Sequence, residues 1–396
     1  MKLKKTSLAV LLALCTAGVA QAQTVIHITG STAFRSAVHT AILGILTDYT
    51  YAYTGSSFTG ANSAIFTGTA LTNHIPVIIK TSWSGSLAGI LTVSQQLPIT
   101  GFLTNSTPQS ASGTSGAATN YDAPTIPEVC MSDGFQFTSQ YPTPVLAAQS
   151  VGVVSFKFLR NSTALATSLT NMTPLLAQAL WENGSLPLSL FTGNPSDAAT
   201  TVYAIGRDAD SGTRKTGFLE TGVQTFVSSL TPAFVLQYQP INAAGVVNRN
   251  NKGAITGQQP WPQEVVDGIT FLTGDGGYSS GGDLAVAMEE TSPYIYVTYL
   301  GLSDALTVET ALGTGVDLTW NGVPYSHTAA ENGQYTYWTY EQLDYLPTFG
   351  TTSANGKAVA DFLAQQIAAE DLSGVGESLS SMNVTRAQEG GPVTPK

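Results

Sequence analysis

Short β-type runs that end in a small polar turn and give way to a helical pattern recur along this chain, and that order constrains its fold more than any other feature. Residues 25–28 are followed by Thr29, Gly30, Ser31 and Thr32 and then by a helical pattern over 33–46. Residues 75–79 lead through Ser82, Trp83, Ser84, Gly85 and Ser86 into a helix-compatible segment at 87–96. Further strands are predicted at 151–159, 201–206 and 294–301, with helices at 174–181, 215–230 and 356–370. Strands alternating with helices predict an α/β fold with mainly parallel sheets. Residues 101–127, rich in Asn, Ser, Thr, Gly, Ala and Pro and without periodicity, read as a long surface loop or insertion.

At the start, Lys2, Lys4 and Lys5 precede an apolar run from Leu8 to Leu14, and the segment ends in Ala20, Gln21 and Ala22. This reads as a signal peptide over 1–22 with cleavage near Ala22, which predicts a periplasmic or secreted protein. Leu14 before Cys15 argues against lipidation. Past the leader Cys130 is the only cysteine, so the fold has to stand on its core without an intramolecular disulfide. Roughly 370 remaining residues suffice for two domains. Only 10% of the chain is charged and the net charge is −11. Its 15 Lys and Arg form no long run, which excludes a nucleic-acid surface. A small anion is not excluded, because it responds to dipoles and charges within a Debye length of about 8 Å.

The strongest candidate for chemistry is the segment Arg207, Asp208, Ala209, Asp210, Ser211, Gly212 and Thr213, placed between a strand and a helix. Its backbone N–H groups are the unpaired donors of a helix start, which suits an anion. Ser211 and Thr213 add hydroxyls, Gly212 permits close approach, and Arg207 can add a charge-assisted contact. An ordinary N-cap explains the same residues. The turns at 30–34 and 84–86 repeat the pattern, and Asp133 in Met131-Ser132-Asp133 places one carboxylate in a sparsely charged region, where a turn residue is the plain alternative.

The turn at 30–34, the stretch at 84–90, Met-Ser-Asp at 131–133 and Arg-Asp-x-x-Ser-Gly-Thr at 207–213 occur in an order that resembles the periplasmic phosphate-binding proteins of ABC transporters. Residues 294–300 and 335–343 resemble that family's later strands, so the likeness spans most of the mature chain. It implies a two-lobed periplasmic-binding-protein fold of type II, each lobe a mainly parallel sheet flanked by helices, with two crossing strands as hinge. The lobes expected are 23–155 plus 290–390, carrying the insertion near 101–127, and 156–289. Carried over by position, Ser31, Thr32, Ala33, Phe34, Asp133, Arg207, Ser211, Gly212 and Thr213 would bind phosphate in the cleft between lobes, and Ser86 or a backbone N–H would substitute in the second turn, where Leu87 takes the place of a polar side chain found in some members. Arg207 would serve both the anion and Asp133. Arg35 departs from the family pattern and either strengthens anion binding or, the favoured reading, points to solvent. The partners implied are inorganic phosphate and permease subunits, with a monomeric, non-enzymatic protein that holds no cofactor and no metal.

Two rival readings have some footing. Gly277, Tyr278, Ser279, Ser280 and Gly281 match Gly-x-Ser-x-Gly, but glycines flank the serine where a nucleophile elbow needs a strand and a helix, and only His327 lies downstream. An adhesive or envelope protein that kept the fold without transporting is the other, favoured by low charge and abundant Ser and Thr. Four scattered histidines give no metal-ligand spacing.

Overall fold

The computed structural model describes residues 23–224, 226–228, 231–232, 234–266, 268–288 and 292–396, so the expected leader at 1–22 lies outside the described residues. Its frame is a 12-stranded sheet. The strands of its main path are β1 (Thr24–Gly30), β2 (Leu46–Tyr53), β3 (Ser63–Ala70), β4 (Pro76–Ser82), β5 (Val129–Asp133), β6 (Ala147–Asn161), β7 (Ser185–Pro187), β8 (Thr201–Ala204), β9 (Ile295–Gly301) and β10 (Trp338–Tyr345). They lie side by side in the order β2, β3, β4, β1, β5, β10, β6, β9, β8, β7. The chain is therefore α/β, as the alternation of patterns predicts.

Parallel pairing joins β1 to β4 and β5, and β9 to β8, and these are the strands whose ends carry the conspicuous turns. β1 is buried over its last five residues because strands flank it on both sides and helices cover it, so its apolar run is nearly continuous rather than alternating. Helix α1 (Arg35–Gly44) follows it, and α2 (Ser86–Ser94) follows β4 and packs on β5 and β1. Helix α3 (Pro174–Asn183) starts with Thr173 accepting from the Leu176 N–H at 3.3 Å and Pro174 in its first turn, and stops at left-handed Gly184. Helix α4 (Gly212–Thr221) stops at Gly222, φ +80°, well short of the 215–230 expected, because a left-handed glycine ends the hydrogen-bond ladder. Helix α5 (Ala354–Ala369) closes the set over β6 and α1.

Strand β6 is the joint. Its residues 147–155 pair antiparallel with β10, whereas 156–160 pair antiparallel with β9, so one 15-residue strand belongs to both halves of the sheet. The division into lobes expected from sequence changes here. β9 hydrogen-bonds to β6 and β8, and Gly315–Asp317 to residues 159–161, so the segment from Ile295 to Trp320 sides with the second half and not with 23–155. An aromatic core seals that half: Phe158 stacks on Tyr337 at 4.7 Å and on Trp320 at 5.2 Å, and Trp181 meets Tyr299 at 5.4 Å.

Two features depart from the sequence reading. The helical pattern extended to Leu46 ends at Gly44, and β2 and β3 form a hairpin that this pattern hides. The insertion at 101–127 has neither helix nor strand, but it is tied down: Leu103 is fully buried, Ser110 and Thr114 bridge to β2, and Asp122 pairs with Lys80. It therefore lies along β2 and β4, and its Thr119 reaches the wall of the same cleft as Thr32 and Ala33.

Gly30 ends β1 at φ +110°, and a Cβ there would lie 2.0 Å from the Met131 carbonyl oxygen. Gly30→Ala should cost at least about 2 kcal/mol in denaturant unfolding, against about 1 kcal/mol for Gly55→Ala, whose φ is also positive but whose surroundings are open. Equal losses would remove the close approach as the cause. A second prediction concerns Asp344, buried on β10, which accepts from the Ser132 hydroxyl at 2.9 Å and whose carboxyl is pushed up to about 7 by burial. A folded pKa above the unfolded one means that this group's contribution to stability is full below the unfolded value and falls as pH rises toward 7. Asp344→Asn should therefore flatten the pH dependence, gaining on the order of 1–3 kcal/mol relative to the parent between about pH 5 and about pH 8. Parallel profiles for the two proteins would refute the assignment.

Candidate functional site

The turn after β1 folds onto the end of β5. The Ser31 N–H donates to the Met131 carbonyl at 2.8 Å, which brings the Ser31 hydroxyl against Asp133, to whose Oδ1 it donates. The same hydroxyl oxygen accepts from the Phe34 N–H at 3.2 Å. That N–H, expected to face a ligand, is thus engaged inside the turn, with the Phe34 ring fully buried. Thr32 and Ala33 reach the wall of an outer cleft.

From the second turn, Gly85 donates to the Gly30 carbonyl at 2.9 Å, locking the two turns together. Ser86, almost fully buried, accepts from the Asp133 N–H at 3.0 Å and keeps its own hydroxyl hydrogen to donate. The Leu87 N–H donates to the Asp210 carbonyl at 3.0 Å, joining this turn to the third.

The third turn starts α4. Gly212 sits so close that a Cβ would come within 2.3 Å of Ser86 Oγ and 2.7 Å of Asp133 Cβ, so its expected role of permitting close approach is realised against protein atoms. Thr213 donates its hydroxyl to Asp133 Oδ2 at 3.2 Å. Ser211 caps the helix, accepting from the Arg214 N–H at 3.2 Å, which is the plain alternative considered for it.

Arg207 departs from expectation in one respect. Its guanidinium donates from Nε to the Tyr278 carbonyl at 2.9 Å and from Nη2 to the Ser279 carbonyl at 3.0 Å and to Thr32 Oγ1 at 3.4 Å. Among the described residues none of its hydrogen bonds reaches Asp133, so the link between the two is a correction. Asp133 is satisfied instead by the hydroxyls of Ser31 and Thr213, one from each flanking turn. The Gly-x-Ser-x-Gly stretch also acquires a different use: Ser279 is exposed and supplies a carbonyl to Arg207.

Several residues that hold the site have no local signal in the sequence. Gln237 donates to the carbonyls of Arg207 and Gly276 at 3.0 and 2.7 Å, and accepts from the Tyr299 hydroxyl, which in turn accepts from the Arg207 N–H. Arg214 pairs with buried Asp275 and donates to the Arg207 carbonyl at 3.1 Å. Beneath Asp133, Glu341 stands directly opposite it in the β5–β10 ladder and is fully buried. Burial first, and the adjacent Asp133 carboxylate second, push the Glu341 carboxyl well up, so it is held neutral beside the site. The arrangement gathers hydroxyl donors, one guanidinium and an acceptor carboxylate around a helix start, the equipment for a partly protonated oxyanion.

No protein-family model matches the chain, and no curated protein matches it. Its structural neighbours include a LysR-type transcriptional regulator and phosphate ABC-transporter substrate-binding proteins. A putative one from Clostridium perfringens, solved with bound phosphate, is 13% identical over 89% of this chain and 99% of that one, at a TM-score of 0.49. An ABC-type phosphate transport receptor from Vibrio cholerae is 11% identical over 86% and 96%, at 0.46, and PstS from Borrelia burgdorferi 14% over 88% and 94%, at 0.39.

Proposed function

We propose that this protein is an exported solute-binding protein that captures inorganic phosphate between the two halves of its sheet, acting as two lobes, for uptake by ABC-transporter permease subunits. The observation that carries the reading is the convergence of Ser31 and Thr32 from the first turn, Ser86 from the second and Thr213 and Arg207 from the third around Asp133 at the end of β5, with Gly212 removing the bulk that would keep them apart. A cap needs one such turn; an oxyanion is wrapped by several.

Selectivity follows from Asp133. As a carboxylate it only accepts hydrogen bonds, and with one hydroxyl already donating to each oxygen it retains lone pairs for one more donor. A hydrogen phosphate brings that donor, and a fully ionised sulfate brings repulsion. The site residues Thr32, Ala33, Ser86, Arg207, Ser211, Gly212 and Thr213 then supply the donors, while Ser31, whose N–H and hydroxyl are taken by Met131 and Asp133, orients the carboxylate and Phe34 shapes the turn.

Calorimetric titration at neutral pH should give phosphate binding at least about 100-fold tighter than sulfate, with Asp133→Asn narrowing the gap and Arg207→Ala weakening phosphate by about 100-fold. Equal affinity for the two anions in the parent protein would sink the selectivity argument. Absence of heat with phosphate would sink the binding role itself.

A further inference from the structure

Next to the inner site lies an outer cleft of about 940 Å³, lined among others by Thr32, Ala33, Arg35, Arg249 and Lys252. That volume is in the range of about 300–1,000 Å³ typical of sites for molecules much larger than a single tetrahedral anion. Arg35, expected at the surface, is only 5% exposed, and its Nη1 donates to Asn62 Oδ1 at 2.9 Å. The wall that carries Asn62 is anchored, because the Trp83 N–H donates to the Asn62 carbonyl at 2.9 Å and the His39 ring bonds the Phe58 carbonyl at 2.9 Å. The Arg249 guanidinium lies directly on Gly282, where a Cβ would come within 1.2 Å of Nη2.

Charge is what singles this cleft out. Arg35 is within electrostatic reach of both Arg207 and Arg249, with Asp304 and Asp283 as its acidic neighbours. Among the described residues no carboxylate forms an ion pair with Arg35, Arg207, Arg249 or Lys252, although the chain as a whole carries a net −11. Three cations, Arg35, Arg249 and Lys252, line the cleft against one lining carboxylate, Asp304, with Arg207 behind Thr32, and this excess of positive charge in an acidic protein calls for an anion with charge at more than one position. Apart from these cations, Asp304 and a few aliphatic side chains, the lining is hydroxyl, amide and glycine, which suits oxyanion oxygens and offers no ring for a base to stack on.

We propose that the cleft is a second anion subsite and that the ligand class is condensed phosphate, with a terminal phosphoryl group at the inner site and the next one between Arg35, Arg249 and Lys252. The proposal rests on the phosphate reading of the inner site. The test is calorimetric titration of the folded chain with orthophosphate and with inorganic pyrophosphate, repeated on the Arg249→Ala, Lys252→Ala variant. Both of those residues are exposed, so the fold is retained. Pyrophosphate should bind at least about ten-fold tighter than orthophosphate, and the double variant should lose about that factor for pyrophosphate while orthophosphate changes by less than about two-fold. Orthophosphate binding with no gain for pyrophosphate, or an equal loss for both ligands in the variant, overturns this proposal and leaves the phosphate reading in place. Binding of neither ligand overturns both.

Discussion

A single buried carboxylate sets the terms for the rest of the site. Asp133 is 2% exposed, and a charge so placed is costly unless donors surround it. The donors come from the hydroxyls of Ser31 and Thr213, and its own N–H is taken by Ser86. Each lies in a different turn, so satisfying Asp133 fixes three strand-to-helix junctions relative to one another. Gly30, Gly85 and Gly212 follow from the same requirement, since a Cβ at any of them would meet Met131, Asp210 or Ser86 within 2.5 Å. Glu341 fits as well: opposite Asp133 in the ladder, a second ionised carboxylate would compound the cost, and burial keeps it neutral.

Arg207 is held with comparable rigidity from behind. Its N–H and carbonyl are both engaged by buried side chains, Tyr299 on one side and Gln237 and Arg214 on the other. Arg214 is itself fixed by Asp275, and Gly277 packs so tightly that a Cβ would lie 2.1 Å from the Arg207 carbonyl. A guanidinium on such a backbone loses little conformational freedom when it meets a ligand, and that reduces the entropic cost of binding.

What could be read from the sequence was whatever is written locally. The strand-turn-helix order at 25–46, 75–96 and 201–221 names the three junctions, and small polar residues at their corners name the hydroxyl donors. Contacts between elements carry no such mark. Ser31 and Asp133 are 102 residues apart, and Arg207 and Thr32 are 175 apart. The motif resemblance supplied that pairing, and it also supplied the one link that the geometry withholds, between Arg207 and Asp133. Arg35 was misread because one arginine after a buried Phe34 gives no sign that Asn62, in the next hairpin, will cover it. The hairpin of β2 and β3 was passed over although Tyr49, Tyr51 and Tyr53 alternate with the period of a strand, because the helical pattern was extended past Gly44 to Leu46.

The end of the chain bears on how the site works. Lys215, one turn into α4, donates to Glu389 at 3.1 Å and to the Phe135 carbonyl at 3.1 Å, and both partners of the ion pair are buried. Further along α4, Glu220 pairs with Arg386 at 3.0 Å, and Arg386 also donates to the carbonyls of Thr336 and Trp338. Gly390 passes so near the helix that a Cβ would lie 2.2 Å from the Leu219 carbonyl. Separating a buried pair leaves an uncompensated charge at a cost of about 3–5 kcal/mol, and here two such pairs bind α4 to the last segment. Because Phe135 follows β5 directly, the same contacts fix α4 relative to Asp133. Thr213 and Asp133 therefore meet through protein contacts alone, and under the proposed binding role a site built this way favours preorganised capture over assembly of the donors by lobe closure.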